Sequence, residues 1–121
     1  MAITKQAVTI LAPANVPAGT AVAAPIAGAA VDVRAFAGGE WAYKITNGAS
    51  GPTVPCTLVL QTSHDGTNWY DYFMVGGAAG AGGVSSGSVG MSAGVMYARA
   101  IAYGNATNAV MVESYLQAKV G

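Results

Sequence analysis

Large and small side chains alternate with a period of two along much of this chain, and this alternation limits the fold more than any other feature. In residues 41–46 the large apolar side chains occupy one face, and small or polar side chains occupy the other. In residues 95–103 five larger side chains alternate with Met96 and three alanines. Successive side chains of a β-strand point to opposite faces, whereas an α-helix repeats about every 3.6 residues. Both segments are therefore predicted to be strands.

The rest of the chain continues this pattern between turn signals. Asp65 and Gly66 are typical of a tight hairpin turn, because glycine accepts the positive φ that such turns need. No segment carries a helical apolar stripe with caps. Seven or eight short strands predict an all-β fold: an antiparallel β-sandwich, jelly-roll-like, with an immunoglobulin-like sandwich as the alternative. The further predicted strands are residues 3–11, 31–36, 54–62, 68–75 and 109–119.

A single domain over residues 1–121 is predicted, because a chain of this length can bury a core large enough to fold without staples. Two segments do not fit the strand pattern. Residues 12–28 are rich in alanine and proline, and residues 76–94 form a Gly-rich loop with room for one short strand at 84–89. Long loops in a compact domain are usually functional or ordered by a partner.

Charged residues are scarce: only ten of the 121 residues are charged, and the formal net charge is zero. Ordinary soluble domains have about 25% charged residues. So few basic groups offer no patch for nucleic acid or acidic membranes. A folded monomer of 12.0 kDa exposes about 6,000 Å², so there is one charged residue per about 600 Å² of surface. Such surfaces tend to associate, and we expect contacts with other protein at the uncharged stretches 6–31 and 72–98.

The chain lacks the residue sets that catalysis needs. Its single histidine, His64, stands between Ser63 and Asp65 in the predicted turn, where adjacent side chains diverge and cannot form a catalytic triad. The Gly-rich loop has neither a GxGxxG pattern before a helix nor a Lys-Ser/Thr pair for phosphate. We therefore expect a non-enzymatic protein without catalytic or cofactor-binding residues. The sequence does not mark any two of the five carboxylates as an acid and base pair. These carboxylates are Asp32, Glu40, Asp65, Asp71 and Glu113.

Metal and thiol chemistry are equally unsupported by the sequence. Asp65, Asn68 and Asp71 could offer oxygens to a calcium ion, but the segment lacks the dense acidic spacing of calcium loops. Cys56 is the single cysteine, which excludes an internal disulfide. It lies in an apolar run and is predicted to be a buried strand residue, since no nearby base or cation would activate it. No metal site and no cofactor are predicted.

The uncharged N-terminal region raises the question of a signal peptide or a membrane span. Lys5 precedes residues 6–31, which carry no charge. Three prolines and several polar residues interrupt this stretch, and it has no dense leucine-rich core. Both interpretations are rejected. A mature N-terminus at Met1 and assembly in the cytoplasm are expected instead.

Residues 61–71, QTSHDGTNWYD, resemble the pattern Q-x-S-x-D-G-x-x-W-x-D, which recurs in small β-sandwich structural proteins of tailed bacteriophages. The Asp-Gly pair turns the chain, and Trp69 is expected to anchor the returning strand in the core. The segment Tyr97-Ala98-Arg99 is similar to the Y-x-R strand that often follows in such proteins. With its short length and its Ala/Gly bias, the whole chain resembles a capsid cement, or decoration, protein.

This resemblance implies a virion structural protein on the outer surface of the capsid lattice. Its partners would be the major capsid protein and further copies of itself, as a dimer or trimer, without nucleic acid or membrane. Many copies would bridge neighbouring capsid subunits, each through a modest apolar interface, and avidity would stabilise the lattice. Residues 2–28 would then be an extended arm onto a neighbour, and the Gly-rich loop 76–94 would be a second contact.

An alternative function is a carbohydrate- or receptor-binding module of a phage tail or fibre. Its exposed platform would be Trp41, Trp69 or Tyr70, because an exposed aromatic face can stack on a sugar ring. Polar groups around such a platform are sparse in this sequence, which favours the capsid interpretation. Alternation predicts two strand faces here: Trp69, Asp71 and Phe73 on one, Tyr70 and Tyr72 on the other.

Overall fold

The computed structural model describes residues 3–120, which fold into nine β-strands. The all-β prediction is confirmed. The predicted strands are present with shifted ends, except that the strand predicted at 31–36 is reduced to Val31–Asp32 and continues as a turn. None of the described residues lies in a helix long and apolar enough to cross a membrane. The strands are β1 (Thr4–Val16), β2 (Ile26–Ala27), β3 (Val31–Asp32), β4 (Gly39–Asn47), β5 (Thr57–Ser63), β6 (Tyr70–Gly76), β7 (Val84–Met91), β8 (Tyr97–Tyr103) and β9 (Val110–Val120).

Two antiparallel sheets form the sandwich. The first sheet has the order β1-β9-β4-β7, and the second has the order β2-β8-β5-β6, with β3 also paired to β8. Because β2 and β3 are short and share one partner, they act as a single interrupted strand. With β2 and β3 counted as one strand, β1 pairs with β9 and β2/β3 pair with β8. Further inward, β4 pairs with β7, and β5 pairs with β6. This nested pairing is the jelly-roll order.

The core between the sheets combines large side chains with alanines. Trp41, Ile45 and Leu116 of the first sheet are fully buried together with Leu58 and Leu60 of the second. These large side chains fill the space, so the adjoining strand β8 contributes only small residues to the interior and points its large residues outward. The inward residues of β8 are Ala98, Ala100 and Ala102.

The N-terminal segment is largely part of the sandwich. Within the candidate arm, residues 4–16 form β1, which pairs with β9 from Thr4 opposite Val120 to Val16 opposite Val110. This part of the segment therefore lies on the chain's own first sheet. Residue 2 of the candidate arm lies outside the described residues.

The Gly-rich segment 76–94 contains the short strand expected at residues 84–89, which extends to Met91. Strand β7 occupies its second half and pairs with β4 along its whole length. Glycine and serine have low strand propensity, so pairing and packing, rather than local preference, set this strand. A Cβ at Gly87 would lie 2.6 Å from the Tyr43 hydroxyl oxygen, so a larger residue here would displace the end of that side chain.

Candidate functional site

The Ser-His-Asp segment forms a structural turn between β5 and β6. The Ser63 hydroxyl accepts hydrogen bonds from the backbone N–H groups of Asp65 (3.2 Å) and Gly66 (2.8 Å). Asp65 accepts backbone hydrogen bonds from Asn68 and Thr67, both at 2.8 Å, and these lower the pKa of its carboxyl below the usual range. Gly66 has the positive φ of 78° that the Asp-Gly pair predicted.

His64 lies outside this hydrogen-bond network, as a solvated turn residue would. Its side chain is 63% exposed, and its Nε2 is 3.5 Å from Asp65 Oδ2. The ring stacks on Tyr70 with 5.9 Å between centroids. Ser63 is buried, and its hydroxyl is engaged by the turn. Ser63 and Asp65 therefore hold the turn in shape, His64 takes no part in its hydrogen bonds, and the three side chains do not form a triad.

The remaining motif residues meet on the outer face of the second sheet. The Arg99 guanidinium lies over the Trp69 ring, 4.4 Å from its centroid. Arg99 Nε donates to Gln61 Oε1 (2.8 Å), and Gln61 Nε2 donates to Asp71 Oδ1 (2.9 Å). The prediction that Trp69 enters the core is wrong: its ring is half-buried beneath Arg99 on the opposite side of the sheet. The motif side chains thus link β5, β6 and the neighbouring β8 on the outer face of the second sheet.

A β-bulge changes the predicted faces of β6. Asp71 pairs with Gln61, whereas Phe73 pairs with Leu60, so Tyr72 is an extra residue between the two pairs. The extra residue shifts the alternation by one position. Phe73 therefore packs against the core while Asp71 points outward, which corrects the prediction that these two residues share a face.

A shallow cleft of about 280 Å³ lies at the end of the sandwich that carries the Asp-Gly turn. Tyr70 is 57% exposed beside His64, and Met96 is 45% exposed. Tyr72 forms part of the wall of this cleft, where its hydroxyl donates a hydrogen bond to the Gly90 carbonyl at 2.8 Å. Trp41 is fully buried in the core, so it cannot serve as the exposed platform considered from sequence.

Among residues 3–120, no charged residue lies in the loops at the opposite end of the sandwich. Four loops meet there: residues 17–25, 48–56, 77–83 and 104–109. We call this surface the uncharged end. The jelly-roll order brings the loops together, because β1, β4, β6 and β8 all finish at this end of the sandwich.

Hydrogen bonds between loops hold the uncharged end in one shape. Asn47 Nδ2 donates to the carbonyls of Ala78 and Gly80, both at 2.8 Å. Asn108 Nδ2 donates to the Gly51 carbonyl at 2.9 Å. Backbone bonds add Gly19 to Asn105 (2.8 Å), Gly104 to Thr20 (2.9 Å), Thr53 to Ala106 (3.0 Å) and Gly82 to Gly48 (2.8 Å).

Five of the ten charged residues lie on the outer face of the first sheet. In β4 and β9 the charged positions alternate with buried core residues, and Lys5 of β1 pairs with Lys119 of β9. Sequence reasoning could not group them, because strands distant in sequence become neighbours only through the topology. These residues are Lys5, Glu40, Lys44, Glu113 and Lys119.

The other five charges are engaged by neighbouring groups. Arg34 donates to both carboxylate oxygens of Asp32, at 2.7 and 3.0 Å, and this pairing lowers the pKa of Asp32 to about 2. Asp65 holds the turn, and Gln61 links Asp71 to Arg99. These pairings leave the outer face of the first sheet as the part of the surface richest in solvated charge.

Reactive groups do not converge in the described part of the chain. Cys56 is fully buried, as predicted, but it lies immediately before β5 and not within a strand; burial raises the pKa of its thiol to about 11. Across residues 3–120, no three His, Cys, Asp or Glu side chains lie close enough to hold a metal ion. The oxygens considered for calcium are committed elsewhere: Asp65 to its turn and Asp71 to Gln61.

The fold and its surface define a jelly-roll sandwich with two distinct ends, one uncharged and one with an aromatic cleft. No family model and no curated protein matches the sequence. Among solved structures, the chain is similar to PBSX exported protein XepA, with 16% identity and a TM-score of 0.61 over 93% of this chain. The chain spans 37% of the XepA chain's length.

Two further structures share the fold. SPBc2 prophage-derived protein YomS is 14% identical with a TM-score of 0.50, and the match covers 96% of this chain and 95% of YomS. A chain of infectious bursal disease virus, Gx strain, is 9% identical with a TM-score of 0.55, covering 98% of this chain and 32% of the viral chain. At these identities the similarity establishes the shared β-sandwich fold.

Proposed function

We propose that this chain is a non-enzymatic virion structural protein of a tailed bacteriophage that binds the outer surface of the capsid lattice and stabilises it as a cement protein. The observation that carries the proposal is the whole-length match to prophage-derived YomS, which covers 96% of this chain and 95% of that one. The match to PBSX exported protein XepA and the Q-x-S-x-D-G-x-x-W-x-D motif support the same origin.

The surface chemistry supports binding rather than catalysis. Ser63, His64 and Asp65 form a turn, and the thiol of Cys56 is buried. The protein offers preformed loops, few charges and scattered exposed apolar side chains, which suit contact with another folded protein. The partner is the major capsid protein, and the chain acts as a homo-oligomer, a dimer or trimer, without nucleic acid or membrane.

The mechanism is binding alone. Each copy contributes a modest interface, and repetition over a symmetric lattice converts weak single contacts into strong overall attachment. A copy that touches two capsid subunits opposes their separation, because lattice expansion would have to break its contacts. The protein is assembled in the host cytoplasm and resides on the outer capsid surface of the virion.

Particle composition tests the proposal. Particles of the phage that encodes this chain are purified, and the copy ratio of the chain to the major capsid protein is measured by quantitative mass spectrometry. We expect one fixed ratio across preparations and an accessible location to protease or antibody. A chain absent from capsids, or confined to tails, would refute the proposal.

A second function is favoured by one observation, the cleft beside Tyr70, whose aromatic ring is 57% exposed. A sugar ring could stack there, with His64 and Ser92 supplying polar contacts. This would make the protein a carbohydrate- or receptor-binding module of a tail or fibre. Glycan-array binding that is lost in Tyr70→Ala but retained in Tyr115→Ala would support it, and absence of glycan binding by the wild type would exclude it.

A further inference from the structure

We propose that the protein stands on the capsid lattice with its uncharged end as the docking surface. This inference rests on the proposed capsid-binding function and specifies which part of the molecule performs it. The loops 17–25, 48–56, 77–83 and 104–109 contact the lattice. The occupant is a folded protein surface that is uncharged at the contact and offers apolar groups and backbone hydrogen-bonding groups.

The first argument is the distribution of charge. At this chain's own frequency of ten charged residues in 121, these four loops would carry about three, and they carry none. Burying an unpaired charge in an interface carries a large desolvation penalty, which a surface without charges avoids when it docks. The outer face of the first sheet holds Lys5, Glu40 and Lys44, and would incur that cost.

The second argument is the exposed apolar rim of this end. Val22 is 66% exposed and Val54 is 52% exposed, both in its loops. Val84 and Met111, at the adjoining starts of β7 and β9, are 50% and 39% exposed. Removing these side chains from water provides a driving force that requires no charged partner.

The third argument is preorganisation. The hydrogen bonds that join the loops already fix their shape, so docking costs little conformational entropy. Thr107, exposed in this end, has a φ of 77°, which is unfavourable for a β-branched residue. Its hydroxyl lies 2.7 Å from that of Thr53 in the facing loop. Strained residues concentrate at binding sites, where the surrounding structure maintains them.

Matched lysine substitutions test the docking surface. Val22→Lys and Val54→Lys each place a charge on an exposed site of the uncharged end. Met74→Lys and Met96→Lys place the same charge at sites that are 55% and 45% exposed elsewhere. Binding is measured to capsids of the encoding phage produced without this chain. We expect at least tenfold weaker binding for the first pair and less than a twofold change for the second.

Oxidation footprinting of the wild-type chain tests the docking surface without any substitution, so the test holds even if a variant fails to fold. Met74, Met96 and Met111 are all exposed, and oxidation of each by dilute peroxide is followed with the chain in solution and on the capsid. We expect protection of Met111, at the rim of the uncharged end, while Met96 keeps its rate. Binding should also persist at about 1 M salt, where exposed ion pairs are screened.

The outcomes separate the two proposals. If the wild type binds but Met96→Lys abolishes binding and Met111 stays reactive, the docking surface is wrong while the capsid function stands. Strong weakening by salt would likewise contradict an uncharged contact. If the wild type does not bind these capsids at all, the proposed function fails, and the docking surface fails with it.

Discussion

Replacing Ser114 with alanine tests how the core accommodates the polar atom of its largest side chain. Trp41 is fully buried, and its indole Nε1 donates a hydrogen bond to Ser114 Oγ at 2.8 Å. The serine hydroxyl in turn donates to the Ala42 carbonyl at 2.9 Å. Ser114 is itself fully buried, so water cannot replace its oxygen without a rearrangement of the core.

The expected cost follows from the group that is left without a partner. Ser114→Ala removes one oxygen and leaves the buried Trp41 N–H unpaired, which costs about 1–3 kcal/mol. We expect a loss of about 2 kcal/mol in the free energy of unfolding. For a chain of this size, that loss lowers the Tm by about 8 °C.

Urea unfolding followed by tryptophan fluorescence measures this cost, with circular dichroism to confirm the fold. Ser88→Ala, on the exposed outer face of β7, is the matched control and is expected to stay within about 0.5 kcal/mol. In a Trp41→Phe background the Ser114→Ala cost should fall below about 1 kcal/mol, because no indole N–H remains unpaired. An equal cost in both backgrounds would refute the hydrogen-bond explanation.

Three further predictions concern the motif and the thiol. Gln61→Leu leaves Arg99 Nε and the Asp71 carboxylate without their shared partner, and we expect about 1–2 kcal/mol lower stability in urea unfolding; wild-type stability would contradict this. Asp65 has a lowered folded pKa, so its contribution to stability is present above about pH 4 and lost as pH falls through that pKa. Asp65→Asn should therefore flatten the acid side of a plot of Tm against pH, and an unchanged slope would count against the role of this carboxylate. Cys56 should react with a thiol reagent only at the rate of unfolding, since it is buried with a pKa of about 11; rapid labelling of the native protein would show the burial to be wrong.

Local chemistry made the strands and the main turn predictable from sequence. Alternation located β4, β8 and β9, and the Asp-Gly pair located the turn at Gly66. These features depend on neighbours along the chain, which the sequence displays directly. Strand β7 was harder to predict in full, because its glycines and serines carry little strand preference and pair only through β4.

Features that depend on topology were beyond sequence reasoning. The bulge at Tyr72 reverses the faces of β6, and no residue type there announces it. Trp69 lies outside the core, with its ring covered by Arg99, which comes thirty positions later in the sequence. The uncharged end could be seen only in part, as uncharged stretches of sequence, until the jelly-roll order joined four separate loops.

Capsid stability with and without the chain tests the central claim most directly. Capsids from a deletion strain are heated alone, with added wild-type protein and with the Val54→Lys variant, and release of packaged DNA is followed by a fluorescent dye. We expect the wild type to bind and raise the release temperature, and Val54→Lys to raise it much less. Deletion capsids that release DNA at the wild-type temperature, with no change when the protein is added, would contradict a cement function.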